Sequence, residues 1–412
     1  MTCSTPSIGT FILNLTFPTK GDVLTRFHIL TRMLVVKKEQ ITAYITTDSQ
    51  AIGTQKIEET KHDLPARMRL YAVFRRYMLV LYILILVLFI TTLHVLMFDE
   101  SISYSKFSYP LDMDFKTNYM EFKKNGRQSS LNEINPHPFQ YIHFKAKCDF
   151  KTHGTTSLLI LVKSAVNNFH LRDAIRATWG STTAKNVEIV YLLAYRAEQQ
   201  QDVDKEVALY GDIVQESFLD AYMNNTYKTI MGFNWAVKYC DQASHIVCVD
   251  DDHYLSIPNT LDYIDSLDHF GSENLMIGSV LPNSSPFRSR FSKWSISLDQ
   301  YPFDKWPPYL AGAVYLLSKQ VAHKMVFAFP YVKYIGIDDA YMGIVANKLD
   351  IIPQHDDRFA SPPYLLYTNP KQIVYGEFKS KADFLTVHHI LTYASTVKMC
   401  AFTWKCHFVL LI

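Results

Sequence analysis

The stretch SHIVCVDDDHYL, residues 244–255, joins a short apolar run to three consecutive aspartates. Its apolar part, HIVCV, is rich in β-branched residues and predicts a buried strand. Asp250, Asp251 and Asp252 follow with no turn residue between them, so their charge lies at the carboxyl end of that strand. In an open α/β sheet this edge is where ligands bind. The stretch predicts a ligand site, although an acidic surface loop is equally compatible with these residues alone.

Three adjacent carboxylates repel one another unless a cation or hydrogen-bond donors compensate their charge. Hard oxygen ligands suit Mg²⁺ or Mn²⁺, and Mg²⁺ is often held by one or two carboxylates together with substrate phosphates. The aspartate triplet therefore indicates a divalent cation beside a phosphorylated ligand.

The composition narrows the class of protein. A chain of 412 residues has room for one large domain or two ordinary ones. Hydrophobic residues make up 48% of it, which is typical of a folded protein, and the net charge of +2 gives no sign of nucleic-acid binding. Six cysteines are too few for a disulfide scaffold. Five of them lie in the last two thirds of the chain, and if that part is in an oxidising lumen, one or two bridges can form and at least one thiol stays unpaired.

The run MLVLYILILVLFITTLHVLMF, residues 78–98, is long and apolar enough to cross a bilayer. Four arginines precede it and two acidic residues follow, which places the amino terminus in the cytosol. No cleavage site follows, so the run should remain as an anchor. We expect a poorly ordered cytoplasmic tail over 1–77, a signal anchor over 78–98, a stem over 99–150 and a luminal domain over 151–412.

Strand and helix patterns alternate after the stem. SLLILV, VEIVYLL and DIVQE, which begin at residues 157, 187 and 212, are the strand runs that precede the acidic stretch. Strands separated by helical patterns predict an α/β fold with a mostly parallel sheet covered on both faces. The three aspartates then lie at its ligand-binding edge.

Five motifs occur in fixed order over residues 158–359. They are LRDAIRATWG (171–180), the segment 206–240, VDDDHYL (249–255), YPFDKWPPYLAGAVYLLS (301–318) and IDDAYMGI (337–344). Together with the anchor, they resemble the β-1,3-galactosyltransferase and β-1,3-N-acetylglucosaminyltransferase family, whose members are Golgi type II membrane enzymes of the GT-A fold. The resemblance implies a Rossmann-type sheet behind one transmembrane helix.

It also implies a metal-dependent inverting hexosyltransferase. Such an enzyme would move galactose or an N-acetylhexosamine from a UDP-sugar to a glycan on protein or lipid, in β-1,3 linkage. A catalytically inactive member that binds glycans or a partner transferase is the alternative, and an unrelated membrane protein with a luminal cation site is a third, more remote class.

The resemblance assigns the donor site to the aspartate triplet, which matches the family's DxD motif. Asp252 is expected to bind Mn²⁺ or Mg²⁺ with help from Asp250, and Asp250 and Asp251 are expected to contact the UDP-sugar. His388 is a third metal candidate, because Val387 and His388 resemble a late Val-His of the family. Two other histidines could serve instead: His389 and His355.

Arg172, Arg176 and Trp179 match a family helix that lies near the nucleotide. For Arg176 and Trp179, ion pairing on a helix surface and packing in the core are equally compatible with the sequence.

Asp338 and Asp339 match a second acidic motif of the family. An inverting transferase needs one carboxylate to take the proton of the acceptor hydroxyl as its oxygen attacks the anomeric carbon. We expect one of the two to be this base, with Asp339 slightly favoured, and the other could cap the helix that follows.

Aromatic and glycine residues suggest the acceptor side. Trp294, Tyr309 and Gly312 fall in segments that line the acceptor site in relatives, although packing in the core is equally compatible with each aromatic ring. The chain departs from the family there, because Ala313 and Val314 stand where relatives often have glycine, and their bulk would narrow a pocket that this backbone lines. Two sequons, at Asn224 and Asn283, are expected to accept glycans.

Overall fold

The structure is a computed structural model. It describes residues 66–97, 101–110, 113–126, 132–150, 156–181, 184–267, 273–361 and 369–392. Most of the predicted cytoplasmic tail and the last twenty residues lie outside these ranges.

The first described element is helix α1, Ala66–Met97. Its section Val73–Thr92 is long and apolar enough to cross a membrane. One apolar helix before the folded domain agrees with the sequence prediction, and the helix begins earlier than the predicted anchor because the arginine-rich flank is helical as well.

An eight-stranded sheet forms the centre of the domain, in the order β1-β4-β3-β2-β5-β8-β7-β9. Two further strands, β6 and β10, pair antiparallel beside it. The strands are β1 Tyr141–His143, β2 Leu158–Lys163, β3 Val187–Tyr195, β4 Ile213–Leu219, β5 His245–Asp250, β6 His253–Leu255, β7 Met276–Leu281, β8 Tyr309–Ser318, β9 Gln354–His355 and β10 Val374–Gly376.

Helices cover both faces of the sheet. They are α2 Phe115–Asn125, α3 Phe169–Ala177, α4 Gln200–Tyr210, α5 Asn225–Tyr239, α6 Ile257–Asp265, α7 Lys319–Ala328 and α8 Asp338–Lys348, and residues 381–392 form a last helix, α9.

The centre of the sheet is parallel, with β2 between β3 and β5. Beyond β5 the direction changes, because β8 pairs antiparallel with both β5 and β7. The α/β prediction is confirmed, and the sheet is mixed rather than uniformly parallel.

Strand β2 shows why the sheet is apolar on both faces. Leu159 and Leu161 enter the core beneath α5, α7 and α8, whereas Leu158, Ile160 and Val162 enter the core beneath α3 and α6. This alternation follows from the two-residue period of a strand, and burial on both sides explains the unbroken apolar run.

Much of the predicted stem lies on the domain itself. Tyr109 and Phe115 are buried, and β1 pairs antiparallel with the edge strand β4. The segment has no hydrophobic period because it is held by single aromatic anchors, such as Phe107 against Phe303, rather than by one helix face or strand face. A spacer is therefore limited to a shorter part of residues 99–150 than the sequence predicts.

A disulfide joins Cys148 to Cys240, the residue that follows α5. Cys248, on β5, is buried and unbridged. The bridge ties the segment that follows β1 to the helix layer, and it agrees with the prediction of one or two bridges.

Replacing Cys148 and Cys240 together by serine is expected to lower the free energy of unfolding by about 2–5 kcal/mol, because the bridge restricts the unfolded chain. Urea unfolding with and without dithiothreitol measures this. Cys248→Ala is the control and should leave the effect of the reductant unchanged. Unfolding of the unaltered protein at the same urea concentration in both conditions would contradict the prediction.

Candidate active site

The carboxyl ends of two neighbouring parallel strands form the base of the site. Lys163 ends β2 and Asp250 ends β5, and the two residues are register partners. The Lys163 ammonium lies 3.0 Å from the Asp250 carboxylate. The sheet edge therefore brings a lysine to the first residue of the aspartate triplet.

The three aspartates have different surroundings. Asp250 and Asp252 keep 38% and 41% of their side chains exposed, so both can meet a ligand. Asp251 is buried and its Oδ2 accepts hydrogen bonds from Ser164 (2.6 Å) and Asn168 (2.9 Å). The middle carboxylate thus fixes the loop after β2, a placement that favours an internal role over contact with a nucleotide.

His253 orients the last aspartate. Its Nδ1 lies 2.6 Å from Asp252 Oδ1. Burial favours the neutral imidazole, but the carboxylates of Asp252 and Asp250 outweigh burial and raise the pKa of His253. The second oxygen of Asp252 remains available to another partner.

The second acidic motif begins helix α8. Asp338 and Asp339 occupy its first turn, where the helix dipole favours negative charge. Gly343 allows the helix to approach β8 closely, since a Cβ there would lie 2.4 Å from the Tyr309 Cβ. This packing brings both carboxylates to the edge that carries the aspartate triplet.

Lys163 connects the two motifs. Besides Asp250, its ammonium contacts Asp338 Oδ2 at 2.7 Å, and Thr229 donates to the same oxygen at 3.3 Å. Burial favours the neutral amine, but the two carboxylates outweigh it and raise the pKa of Lys163 well above its ordinary value. In turn, Lys163 outweighs the burial of Asp338 and lowers the pKa of that carboxyl.

The pKa of Asp339 shifts in the direction opposite to that of Asp338. Burial and the neighbouring charge of Asp338 raise the pKa of Asp339 to about 7. Its Oδ1 accepts a hydrogen bond from the Ala340 amide at 2.7 Å. Two adjacent carboxyls with pKa values pushed apart have distinct tasks, and the one that titrates near neutrality is suited to accept a proton.

The pH dependence of catalysis should follow this carboxyl. Below a pH of about 7, Asp339 is protonated and cannot act as a base, so kcat/KM should fall tenfold per pH unit toward acid and level off above that pH. Initial rates measured across the acid and neutral range test this. A flat profile through the acid range would contradict the assignment.

The predicted metal ligands are not gathered into one cluster. Among the described residues, no group of three or more His, Cys, Asp or Glu side chains could hold a metal ion. Asp252 and Asp250 remain as exposed carboxylates at one strand end, and one or two carboxylates with substrate phosphates suffice for Mg²⁺. The residues fit a cation that arrives with a phosphorylated ligand.

The histidine candidates lie on different elements. His388, on α9, lies with Nδ1 3.0 Å from the Tyr254 hydroxyl on β6. His389 follows it and is exposed, whereas His355 on β9 contacts Asp357. None of the three has a described contact with the aspartate triplet, and the ligand role of His388 stays a prediction.

Arg172 and Arg176 make internal ion pairs. Arg172 is fully buried, binds Glu206 and donates to Ser164, the residue that also holds Asp251. Arg176 pairs with Glu206 and Asp212. These contacts favour support of the loop after β2 over contact with a nucleotide.

Trp179 also supports the acidic edge from within. It is buried, and its indole N–H donates to the carbonyl of His253 at 3.2 Å. This bond holds the strand that follows the triplet.

The acceptor candidates surround Asp339 unequally. Gly312 lies beside it, since a Cβ on Gly312 would be 3.5 Å from the Asp339 Cβ. Tyr309 is buried, whereas Trp294 is half-exposed and hydrogen-bonds Tyr222, whose pKa is raised by burial and then by the Asp338 carboxylate. Gly312 and Trp294 thus border the second acidic motif.

The departure from the family's glycines has a structural reason at one position. Val314 is buried in the core and pairs with Val249 of β5. Its bulk therefore fills the core, and it does not narrow an open pocket.

The two sequons differ in access. Asn283 is exposed at the start of the loop after β7. Asn224 donates to the Leu219 carbonyl, and the threonine of its sequon, Thr226, is fully buried and donates to the Ile335 carbonyl. Of these two sequons, Asn283 is the more accessible, because Asn224 is only half-exposed and the threonine of its sequon is buried.

Sequence reasoning missed four residues of the site. A signal existed for Lys163, because it ends the apolar run LLILVK just as Asp250 ends its own strand. Charged residues at adjacent parallel strand ends meet at one edge. The missed residues are Lys163, Ser164, Asn168 and His253.

An α/β domain with two acidic motifs at the carboxyl ends of its central parallel strands has the architecture of a glycosyltransferase. Residues 170–357 match the family model described as Galactosyltransferase. The chain is 38% identical over 212 residues to the β-1,3-galactosyltransferase brn of Drosophila melanogaster. The aligned region covers 50% of this chain and 65% of that protein. Residues 170–357 therefore form a domain of this galactosyltransferase family.

Two other relatives are named for the transfer of different sugars. The lactosylceramide 1,3-N-acetyl-β-D-glucosaminyltransferase of Homo sapiens is 35% identical, over 52% of this chain and 60% of the relative. The UDP-GalNAc:β-1,3-N-acetylgalactosaminyltransferase 1 of Rattus norvegicus is 37% identical, over 49% and 64%. The matched part is less than two thirds of the length of each of these three relatives.

Among solved structures, the galactosyltransferase LgtC in complex with donor and acceptor sugar analogues aligns at 14% identity and a TM-score of 0.30, covering 57% of this chain and 96% of that one. That likeness is too weak to add to the assignment.

Proposed function

We propose that the protein is a membrane-anchored, metal-dependent inverting hexosyltransferase that uses a UDP-sugar donor and forms a β-1,3 linkage on a glycan. One observation carries the proposal. Lys163 contacts Asp250 of the first acidic motif and Asp338 of the second, so the groups suited to the donor and to the acceptor share one edge.

The second motif supplies the proton chemistry. Asp339 takes the proton of an acceptor hydroxyl while the oxygen attacks the anomeric carbon from the face opposite UDP, which inverts the configuration. Asp338 stays ionised beside Lys163, and its charge keeps Asp339 basic enough for the transfer. Gly312 leaves room for the sugar hydroxyl beside Asp339.

The first motif serves the donor. Asp252 and Asp250 would hold Mn²⁺ or Mg²⁺, with His253 orienting Asp252. When bound, the cation stabilises the charge that develops on the leaving diphosphate. Asp251, Ser164 and Asn168 hold the loop on which this edge rests.

The relatives' names support the sugar class and the linkage. They name galactose, N-acetylglucosamine and N-acetylgalactosamine as transferred sugars, and one names lactosylceramide as acceptor. We infer transfer of galactose or an N-acetylhexosamine to a glycoprotein or glycolipid. The apolar helix with its basic flank supports a single-pass type II protein of the Golgi membrane with a luminal catalytic domain.

A donor screen on the full-length protein in lipid nanodiscs tests this function. UDP-galactose, UDP-N-acetylglucosamine and UDP-N-acetylgalactosamine are offered with a panel of glycan acceptors, with Mn²⁺ or with EDTA. Transfer should require the cation, and Asp252→Ala should abolish both transfer and cation-dependent UDP binding. Asp357→Ala, at an acid that is 94% exposed, is the matched control.

Two results would refute the proposed transferase activity. Absence of cation-dependent UDP binding would exclude a metal-dependent donor site. Retained UDP binding without transfer to any acceptor would indicate the inactive, glycan-binding or partner-binding alternative.

A further inference from the structure

Tyr222 is a half-exposed aromatic residue that lies beside both acidic motifs. It begins the single 3₁₀ turn Tyr222–Asn224, which leads directly into α5, and 44% of it is exposed. Burial and then the Asp338 carboxylate raise the pKa of Tyr222 to about 12. Asp339 and Asp250 act in the same direction, so the hydroxyl senses the charge of both motifs and keeps its proton at neutral pH.

The turn that carries Tyr222 is fixed against the segment that leads into α8. The Tyr334 hydroxyl donates to the Met223 carbonyl. Gly336 permits this close approach, since a Cβ there would lie 2.7 Å from the Met223 carbonyl oxygen. The second acidic motif begins two residues after Gly336, so the Tyr222 ring is held in a set position beside it.

Tyr222 also contacts the acceptor candidate Trp294. An indole N–H can only donate, so the Tyr222 hydroxyl accepts the hydrogen bond between them. The Lys293 ammonium lies 5.5 Å from the Tyr222 ring centroid and 4.7 Å from that of Trp294. The bond to Trp294 occupies a lone pair of the Tyr222 oxygen and leaves its proton available to a ligand.

We propose that Tyr222 binds the acceptor sugar, an inference that rests on the proposed transferase function. Its ring packs against one face of the terminal sugar, and its hydroxyl donates to the oxygen at C2 or C4, next to the 3-hydroxyl whose proton Asp339 takes. Tyr222 therefore selects the sugars that present their 3-hydroxyl to the base, which makes it a specificity-determining residue.

The side chain suits an acceptor better than a donor phosphate. The carboxylates of the second motif act on Tyr222 more strongly than Asp250 does, which places the hydroxyl on the side of the base. Ligand pockets combine apolar surface with a few hydrogen-bonding groups, and tyrosine supplies both in one side chain. A protonated phenol beside Asp339 donates to the sugar without competing for its proton.

Acceptor kinetics of the full-length protein in nanodiscs test the proposal. The glycan that accepts fastest in the donor screen is the probe. Tyr222→Ala should raise the acceptor KM by about 30-fold, the factor for losing a central tyrosine at a binding surface. Because the lost contact forms with the bound acceptor, kcat and the donor KM should stay within about twofold. Tyr222→Phe keeps the ring and should raise the acceptor KM only about two- to tenfold, the effect of one hydrogen bond.

Deoxy acceptors identify that hydrogen bond. The same glycan is offered with its terminal sugar deoxygenated at C2 or at C4. The unaltered protein should discriminate against one of the two forms, and Tyr222→Phe should lose most of this discrimination, because it has no hydroxyl to leave unpaired. Phe144→Ala, at a ring of similar exposure (49%) after β1, is the matched control and should leave the acceptor KM unchanged.

Three results would overturn the proposal. An acceptor KM that is equal in Tyr222→Ala and in the unaltered protein would refute it and leave the transferase function intact. A parallel loss of UDP affinity in Tyr222→Ala, measured by calorimetry, would assign the residue a structural role. Absence of transfer by the unaltered protein would refute the proposed transferase function, and the role of Tyr222 with it.

Discussion

Replacing Asp339 by asparagine is expected to lower kcat by about 100- to 10,000-fold, the range that general-base catalysis contributes. The amide cannot take the acceptor proton, but its oxygen can still accept the hydrogen bond from Ala340. UDP-sugar binding, measured by calorimetry, should stay unchanged because Asp252 and Asp250 are intact. The loss should thus fall on turnover and leave donor affinity unaltered.

The fold should survive this change. The pKa of Asp339 is raised to about 7 in the folded state, so this group lowers stability as the pH rises from its ordinary pKa to about 7, and the penalty stays constant above that. Asparagine removes that penalty, and the melting temperature at neutral pH should be equal or higher.

Asp338→Asn is the paired comparison. It breaks the contact with Lys163 and should lower stability, a signature that Asp339→Asn lacks. If Asp339→Asn is active and Asp338→Asn is folded but inactive, the base is Asp338 and the assignment made here is wrong.

The sequence predicts the half of the fold that local patterns encode. The apolar runs of β2, β3 and β5 have lengths and β-branched contents that are typical of buried strands, and helices separate them. The antiparallel placement of β8 depends on which edge the chain returns to, and no local pattern records that choice. The packing of the predicted stem on the domain could not be predicted for a related reason, since Tyr109 and Phe115 are single anchors without periodicity.

The site follows the same division. Both acidic motifs can be recognised in the sequence because adjacent aspartates stand next to apolar runs, and the family resemblance indicates their roles. The contact partners of Arg172 and Asp251 cannot be predicted from the sequence, because an arginine that pairs with Glu206 and one that binds a nucleotide give the same local pattern. Tertiary contacts decide which charges point inward.

Replacing Lys163 by methionine should damage both stability and catalysis. Methionine keeps the length of the side chain but leaves Asp338 and Asp250 without their shared cation. We expect a loss of about 3 kcal/mol in the free energy of unfolding, the lower end for breaking a buried ion pair, because Asp250 is 38% exposed. Misplacement of the two motifs should lower kcat by about 100-fold.

A shift in the pH profile separates positioning from general destabilisation. The positive charge of Lys163 lowers the pKa of Asp339, so its removal should move the acid limb of kcat/KM to higher pH. Lys145→Met is the control, because Lys145 pairs with Glu188 near the start of β3, at the sheet edge opposite to the one that carries both motifs. The control variant should lower the free energy of unfolding but leave the acid limb of the kcat/KM profile in place.

A compensating change completes the test of Lys163. In the Lys163→Met, Asp338→Asn double variant, no unpaired charge remains at position 338, so part of the lost stability should return in urea unfolding. Turnover should not return, since the two motifs are no longer joined by a charge. If Lys163→Met unfolds and turns over like the unaltered protein, the lysine is not what unites the donor and acceptor sides of this site.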